Sequence, residues 1–384
     1  MAKFLDTHDP SLLKSEGENL VLFYPFVPPE AIDLVSETLR SRWIGQGPKV
    51  DRFELEFKDA LGVNSTAVAV GSGTDGLHLA YVLAGISPGD EVISPVFTCT
   101  ATNIPLLHLG ATIRFADVER DTLNIDPAHV ARVITDKTKA IVCVHYAGLP
   151  CKMDAIKEIA DQHGIPVIED AAQAVGASYQ GNPIGGISDF TVFSFQATKH
   201  ITTADGGMLM VKDPNLVSKA RRLRWFGIDR EAKHGGTWEN DITEAGFKYQ
   251  MTDVAAAMGL AGLARLDEIL KLRRELLEAY KENLTGVPNL ELIGLEQPES
   301  VHAAWLLTIA IDRRTDLMKK LREHKIESGQ IHFRNDRYQI FSQFRTDETP
   351  NMDALEDRYL ILPLHTNMTT DDVKRVCQVI RSGW

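Results

Sequence analysis

Cysteine is scarce: four in 384 residues, Cys99, Cys143, Cys151 and Cys377, far apart and with no CxxC pair or Cys/His cluster. That spacing argues against a disulfide framework and a zinc site, and it predicts buried free thiols in a reducing compartment. Positive charge is also short. Lys and Arg number 41 against 53 Asp and Glu, a formal net charge of −12, the wrong sign for non-specific binding to a nucleic-acid backbone. The same field repels anionic metabolites, so any phosphate site must be built from local donors. No apolar run approaches the roughly 20 residues of a membrane span; the longest clear one is Val254 to Ala264. The opening MAKFLDTHDPSLLKSEGENL carries no apolar signal-type core, and the expectation is a cytoplasmic protein without membrane or nucleic-acid partners. Internal repeats and low-complexity tracts are absent as well.

What remains is the composition of an ordinary folded protein, 44% hydrophobic and 24% charged. At roughly 100–200 residues per domain, the length allows two or three domains, or one large α/β domain with an appendage. Strand-length apolar runs recur at Thr66 to Val70, Glu91 to Val96, Thr112 to Phe115, Ala140 to His145, Pro166 to Ile168, Phe190 to Phe195 and Met208 to Val211. Several are separated by helix-like segments such as Asp154 to His163. Runs apolar on both faces, alternating with helices, predict an α/β fold with a mostly parallel central sheet covered by helices. From Asp253 the spacing of Leu263, Leu266, Ile269, Leu270, Leu276, Leu277 and Tyr280 predicts a long connecting helix. Past Asn289, shorter runs (Trp305 to Ile311, Thr315 to His324, Thr370 to Ile380) predict a smaller α+β domain. The expected division is 1–265, an N-terminal segment and large domain, and 266–384, a connecting helix and small C-terminal domain.

Three motifs fall at predicted strand ends. Gly71-Ser72-Gly73-Thr74-Asp75-Gly76 follows one strand and opens a helix, an arrangement that aims backbone N–H groups and the helix dipole at a phosphate. It satisfies GxGxxG, but the acid a dinucleotide fold requires about 20 residues on is Glu91, which precedes its strand rather than ending it. The run Ile165 to Ile168 ends in Glu169-Asp170; alternation turns Glu169 away and leaves Asp170 either a helix N-cap or a ligand-facing carboxylate. Phe190 to Phe195 leads to Lys199-His200 in a Thr- and Gly-rich setting, where a partly desolvated lysine becomes a nucleophile for carbonyl groups. A phosphate cup, an acid and a lysine are the three fittings of pyridoxal 5′-phosphate (PLP), which needs donors on its phosphate, an anion on its pyridinium nitrogen and an amine on its aldehyde.

With these residues in order, the sequence resembles the DegT/StrS-type sugar aminotransferases among the fold-type I PLP enzymes. The matching stretches run from about Pro28 to the C-terminus: WIGQGPKVDRFELEF, GSGTDGLHLA, GDEVISPVFTCTATN, VIEDAAQAVGA, FSFQATKHITTADGGML, GFKYQMTDVAAAMGL and LPLHTNMT. The resemblance implies Lys199 as the Schiff-base lysine and proton carrier, Asp170 on the pyridinium nitrogen, Gln173 near the ring oxygen, and Gly73, Thr74 and Ser194 on the phosphate. It implies a homodimer whose GFKYQ segment reaches into the partner's site, with Lys248 where the family commonly has Asn. Cys99 stands where many relatives stack an aromatic on the ring, and a thiol covers less of that face.

The resemblance also implies a nucleotide-sugar acceptor and glutamate as amino donor. Trp225, Phe226, Arg230 and His234 form one polar and aromatic loop, and His332, Arg334, Arg337 and Tyr338 belong to another. Arg230, Arg334 and Arg337 are candidates for a diphosphate, which guanidinium binds bidentately, and His332 is a further substrate candidate. Three other readings stay open: a PLP-dependent sugar dehydratase of the same family, whose histidine in place of the lysine draws attention to His200; a non-catalytic PLP-binding regulator; and an NAD-dependent dehydrogenase read from GxGxxG.

Overall fold

The structure, a computed structural model, describes residues 19–230, 232, 241–345 and 348–384. In chain order the strands are β1 (Thr66–Val70), β2 (Glu91–Pro95), β3 (Phe97–Thr98), β4 (Thr112–Ala116), β5 (Thr138–Val144), β6 (Val167–Asp170), β7 (Ser178–Tyr179), β8 (Asn182–Pro183), β9 (Phe190–Ser194), β10 (Gly207–Val211), β11 (Leu290–Ile293), β12 (Ser300–Val301), β13 (Leu307–Ile311), β14 (Phe333–Arg334) and β15 (Tyr359–Leu362). Seven of them make the central sheet, in the order β1-β10-β9-β6-β5-β2-β4. Only β10 runs against the others, so the sheet is mostly parallel, as its two-sided apolar runs predict.

Side chains alternate across this sheet with period two. Ala67, Ala69, Ile93, Ile141, Val167 and Phe193 enter one core, while Val68, Val70, Val92, Val142, Ile168 and Val192 enter the other. Helix α3 (Gly73–Leu83) covers the second face. It lies so close that a Cβ on Gly76 would stand 2.8 Å from Val192 Cγ1, and only glycine fits there. The first face is covered by α2 (Pro48–Leu61), whose buried Phe53 and Phe57 meet Phe193 and Phe195 edge-on or tilted. Proline at the first turn of α1 (Pro29–Arg40) and of α2 costs no hydrogen bond, because that N–H has no intrahelical partner.

The expected long connecting helix is two helices, Asp253–Leu263 and Leu266–Leu284. Between them Arg265 leaves helical geometry (φ −109°, ψ 7°), and its guanidinium ties Glu30 at 2.8 Å and Glu268 at 3.0 Å. The second helix packs with Thr370–Arg381 and Arg314–Glu323 against the antiparallel sheet β11-β13-β15. The stretch before α1 also reaches C-terminal residues. Leu20 forms a parallel bridge with Ile326, Leu22 N–H donates to Glu327, and His365 meets the Val21 carbonyl at 3.0 Å. Residues 1–18 and His234 lie outside the described residues.

Candidate active site

In parallel strands the C-terminal ends share one edge, where open α/β sheets bind ligands. Here that edge gathers Gly71–Gly73 after β1, Val96–Cys99 after β2, His145–Gly148 after β5, Asp170 on β6 and Ser194 on β9. The segment after β9 folds back on itself, with Phe195 N–H to Gly206 O (2.8 Å), Thr203 N–H to Phe195 O (2.9 Å) and Lys199 N–H to Gln196 O (2.9 Å). This returns Lys199 to the edge its strand has just left. Glu91, the residue with dinucleotide spacing, lies at the start of β2 on the opposite edge, bound by Thr135 at 2.6 Å. That placement removes the geometric basis of the dehydrogenase reading.

Asp170 and Glu169 point to opposite faces, as alternation requires. Glu169 is fully buried and accepts from His145 Nε2 (2.8 Å), Ser188 N–H (3.0 Å) and Thr191 Oγ1 (3.0 Å). Burial pushes its pKa up, but those partners outweigh burial and leave it below the ordinary value. His145 Nδ1 accepts from Cys151 N–H at 3.1 Å, so the ring is neutral and donates from Nε2, and a buried charge-assisted hydrogen bond stands behind the site. Asp170 is 4% exposed, accepting from Thr102 Oγ1 at 2.7 Å and Ala172 N–H at 3.1 Å. The N-cap geometry is thus present, yet it does not exhaust the carboxylate. Burial raises the pKa of Asp170 against those hydrogen bonds and the positive charge of Lys199, which is the signature of a carboxylate short of a cation.

Lys199 is half-buried with Nζ 3.5 Å from the ring centre of Trp305. Desolvation lowers its pKa from 10.5 to about 8, against the pull of Cys99 and Asp170 and assisted by the positive charge of Arg273. At pH 7 about a tenth of the amine is consequently neutral and nucleophilic, far more than for an ordinary lysine. His200 faces the other way, with Nε2 on the Ala303 carbonyl at 2.8 Å. Lys199, not His200, is the residue presented to the edge.

Gln173 is anchored by the Ala147 N–H on its oxygen (2.7 Å) and by His332 Nε2 on its amide nitrogen (3.1 Å). His332 is itself boxed by Trp305, Phe97 and Tyr146. Sequence placed His332 near substrate; the structure brings it to Gln173. At the start of α3, Ser72 caps the helix through Asp75 N–H (3.0 Å), while the first-turn N–H groups of Gly73 and Thr74 have no carbonyl one turn back to bind. A Cβ on Gly73 would lie 3.0 Å from Ser194 Cβ and 3.3 Å from Ser194 Oγ. Amides and hydroxyl therefore line one small cradle, which suits a phosphate. Cradle, unsatisfied carboxylate and low-pKa amine together fit PLP.

The remaining expected residues are distributed differently. Cys99 is half-buried just before the helix Thr100–His108 and close enough to Lys199 and Tyr338 to act on their ionisation. Phe97 is buried against Tyr359 and Tyr146 at 5.0 and 5.3 Å, so it belongs to the core and not to the open edge. Lys248 stands 5.3 Å over Phe226 and 6.0 Å over Trp225, while its neighbour Tyr249 carbonyl accepts from Gly71 N–H at 2.7 Å. Arg230 stacks on Trp225 at 4.5 Å and lines a separate cavity of about 360 Å³ with Gln46, Asp51, Glu54 and Arg224. Arg334 departs most from its expected role. It is 3% exposed and bound to both oxygens of Asp336 (2.7 and 2.8 Å), to Thr349 (2.8 Å), to Glu356 (3.1 Å) and to Asp353. Its donors are consumed internally, which makes it a structural anchor for the 332–338 loop instead of a diphosphate ligand. Arg337 is the more open of the two, paired with Glu356 at 3.2 Å.

Thr102 and Trp305 carried no signal in sequence, because a threonine and a tryptophan in apolar surroundings read as core. The structure ties Thr102 onward: Thr98 Oγ1 meets Thr102 Oγ1 (2.8 Å), Asn335 Nδ2 donates to Thr98 O (2.8 Å), and Asn103 Nδ2 donates to Asn335 Oδ1 (2.9 Å). This relay, with β14 paired to β3, fastens the 332–338 loop to the floor of the site.

Comparison with known proteins agrees with this geometry. The model of the DegT/DnrJ/EryC1/StrS aminotransferase family matches residues 27–381. The chain is 38% identical over 371 residues to the spore coat polysaccharide biosynthesis protein SpsC of Bacillus subtilis, covering 93% of this chain and 95% of that protein. Its fold matches the sugar aminotransferase CalS13 of Micromonospora echinospora with a TM-score of 0.90 and 33% identity, covering 94% of this chain and 99% of that one. It also matches DesI, solved in the presence of its TDP-sugar product, with a TM-score of 0.86 and 30% identity over 95% of this chain and 93% of that one.

Proposed function

Because the chain belongs to the DegT/DnrJ/EryC1/StrS aminotransferase family, which includes PLP-dependent sugar aminotransferases, we propose that it transfers an amino group from glutamate to a nucleotide-linked keto-deoxy sugar. The observation that carries this reading is the convergence of a low-pKa Lys199 and a cation-seeking Asp170 beside the Gly73–Ser194 cradle. The nucleotide-sugar acceptor is supported by DesI, whose structure was solved with its TDP-sugar product. A product destined for polysaccharide is supported by the likeness to SpsC.

When bound, PLP supplies an electron sink for the bond broken at the donor carbon. The protein's part is to orient and to move protons. Gly73 and Thr74 N–H groups and Ser194 Oγ hold the phosphate; Asp170 keeps a proton on the pyridinium nitrogen by its charge; the second N–H of Gln173 serves the ring oxygen. Lys199 Nζ would take the proton from the donor's α-carbon and deliver it to the carbon of the cofactor's former aldehyde, and would carry it the other way when the keto sugar is aminated. Thr102 holds Asp170 in place for that task.

The site is placed in a homodimer, supported by the exposed Ile32, Leu39, Trp43 and Ile44 on and after α1 together with exposed Phe226, and Lys248 is assigned to the partner subunit's phosphate. The cytoplasm is the proposed compartment; among the described residues no helix is long and apolar enough to cross a membrane.

The test is an absorption spectrum of the purified protein with PLP, before and after glutamate. A visible band that gives way to a near-ultraviolet band, and returns on addition of a keto-sugar nucleotide, is the expected result. A visible band indifferent to glutamate overturns the donor assignment, and a near-ultraviolet form that no keto-sugar nucleotide reverses overturns the acceptor.

A further inference from the structure

We propose that Trp305 is a positioning residue for Lys199, and that the strap His302–Leu306 between β12 and β13 holds Lys199 and Gln173 in register. The inference rests on the reading of Lys199 as the cofactor-binding amine.

Both neighbours of Lys199 are tied to this strap. Trp305 Nε1 donates to the Thr198 carbonyl at 2.9 Å, and His200 Nε2 meets the Ala303 carbonyl at 2.8 Å. A carbonyl only accepts, so His200 is the donor in that pair. Lys199 is thereby bracketed on each side, with its Nζ on the Trp305 ring face. The other edge of the strap reaches the segment that fixes Gln173. Ala303 N–H donates to Gly148 O (2.9 Å), and Trp305 and Leu306 N–H both reach Ala147 O (2.9 and 3.3 Å), while Ala147 N–H binds the Gln173 oxygen. Ala147 holds left-handed backbone (φ 58°) to present its N–H and its carbonyl to these different partners. The strap also contacts His332, which stacks on Trp305 with ring centres 6.2 Å apart.

The strap is anchored from behind by two successive arginines of the helix Leu266–Leu284. Arg274 donates to His302 O at 2.8 Å and Gly176 O at 2.9 Å. Arg273, 2% exposed, donates to Ala304 O and Trp305 O at 3.3 Å and to Leu364 O at 3.1 Å. It has no carboxylate partner among the described residues and its buried Nε has no hydrogen-bond partner, so its hold is on these carbonyls, all three reached by one terminal nitrogen. Ala304 itself takes φ 55°, a strained conformation kept by these contacts. A tryptophan that only filled space would leave its indole N–H unsatisfied or to water. Here it is aimed at the backbone next to the reactive lysine.

Trp305→Phe separates the two roles, because it keeps an aromatic ring and removes the donor. Losing one intramolecular hydrogen bond corresponds to about twofold to tenfold, and we expect a kcat decrease of that order with an unchanged KM for glutamate. The accompanying readout is hydrogen exchange in the 196–203 segment of the PLP-loaded protein, which should quicken while the melting temperature and exchange elsewhere stay near wild type. Wild-type kcat and wild-type exchange in that segment overturn the proposal, as does a uniform rise in exchange across the whole protein. If Trp305→Phe fails to fold, His200 provides a second pair: His200→Gln retains a donor for Ala303 and His200→Leu does not. Only the Leu variant is expected to loosen 196–203; identical behaviour of the two overturns the bracket. A wild-type protein that takes up no PLP defeats the functional reading itself, whereas a loaded wild type with unmoved variants defeats only this inference.

Discussion

Gln173 donates its side-chain amide to His332 Nε2 across 3.1 Å while its oxygen accepts from Ala147 N–H at 2.7 Å. An NH₂ group has no acceptor to offer, so Nε2 of His332 is unprotonated and the ring carries its proton on Nδ1. Burial and the charge of Lys199 lower the His332 pKa to about 3, and the ring stays neutral at working pH. Replacing His332 with Phe removes the acceptor and lets the Gln173 amide turn. PLP affinity, measured by spectrophotometric titration, should fall about twofold to tenfold. The pH profile of kcat/KM should keep every limb it has between about pH 5 and 9, since His332 does not titrate there.

Lys199→Ala should lower turnover by about 10² to 10⁴ through loss of the proton carrier, in a protein that still folds. The depressed pKa also predicts a pH dependence. With its pKa lowered to about 8 from 10.5, the folded state binds fewer protons at this site than the unfolded state between those values. Stability therefore rises with pH across that window from this residue alone. Urea melts of wild type and Lys199→Met, both without PLP, should diverge progressively as pH is lowered from about 10.5 to 8, with the variant relatively more stable at the lower end. Parallel curves would refute the assignment of that pKa.

Asp170→Asn keeps the shape and an oxygen to accept from Ala172 N–H but removes the charge, and its NH₂ must donate to Thr102 Oγ1, reversing that bond. It should bind PLP and lose most turnover, whereas Thr102→Val should cost far less because the carboxylate keeps Ala172 N–H. A single-turnover measurement with glutamate reads the difference directly. If the two variants lose activity equally, position rather than charge is what Asp170 contributes.

Arg334→Ala should act on folding. Removing one partner from a buried ion pair costs about 3–5 kcal/mol, and Asp336, fully buried beside Arg334, would be left with no countercharge. Denaturant melts should show that loss, while KM for the sugar nucleotide in the folded fraction is unchanged. Arg337→Ala, at a half-exposed position, should change stability little; a raised KM there would identify the arginine that meets the substrate.

The parallel sheet was legible in sequence because most of its strands are apolar on both faces, the edge strand β4 with Arg114 excepted, and the runs at Thr66 and Phe190 coincide with β1 and β9 to within a residue. The placement of Asp170 and Gly73 at the ligand edge was legible for a related reason, since one ends β6 and the other opens the helix after β1, whereas Lys199, five residues past β9, returns to that edge only through the bonds of Phe195 to Gly206 and Thr203. Arg334 misled because a loop arginine looks the same whether it awaits a phosphate or binds Asp336, Asp353 and Glu356, two of which are 19 and 22 residues away. The break at Ala264–Arg265 was hidden for the opposite reason: the apolar spacing continues through it, and only the contact with Glu30, 235 residues back, marks the turn. Trp305, Thr102 and Asn335 act through partners more than 60 residues distant, a separation at which periodicity carries no information.

The pairing of Leu20 with Ile326 and of Val21 with His365 sets an order of events at the ribosome. Chains fold as they emerge, N-terminal part first, but here the earliest of these residues has no seat until more than three hundred later ones have been made. The large sheet can assemble while the stretch before α1 is still waiting. That stretch then closes over the newly finished C-terminal unit as a late clasp, so in a nascent chain stalled before residue 326 the bonds around Leu20–Leu22 should be cut by protease more readily than the already formed sheet.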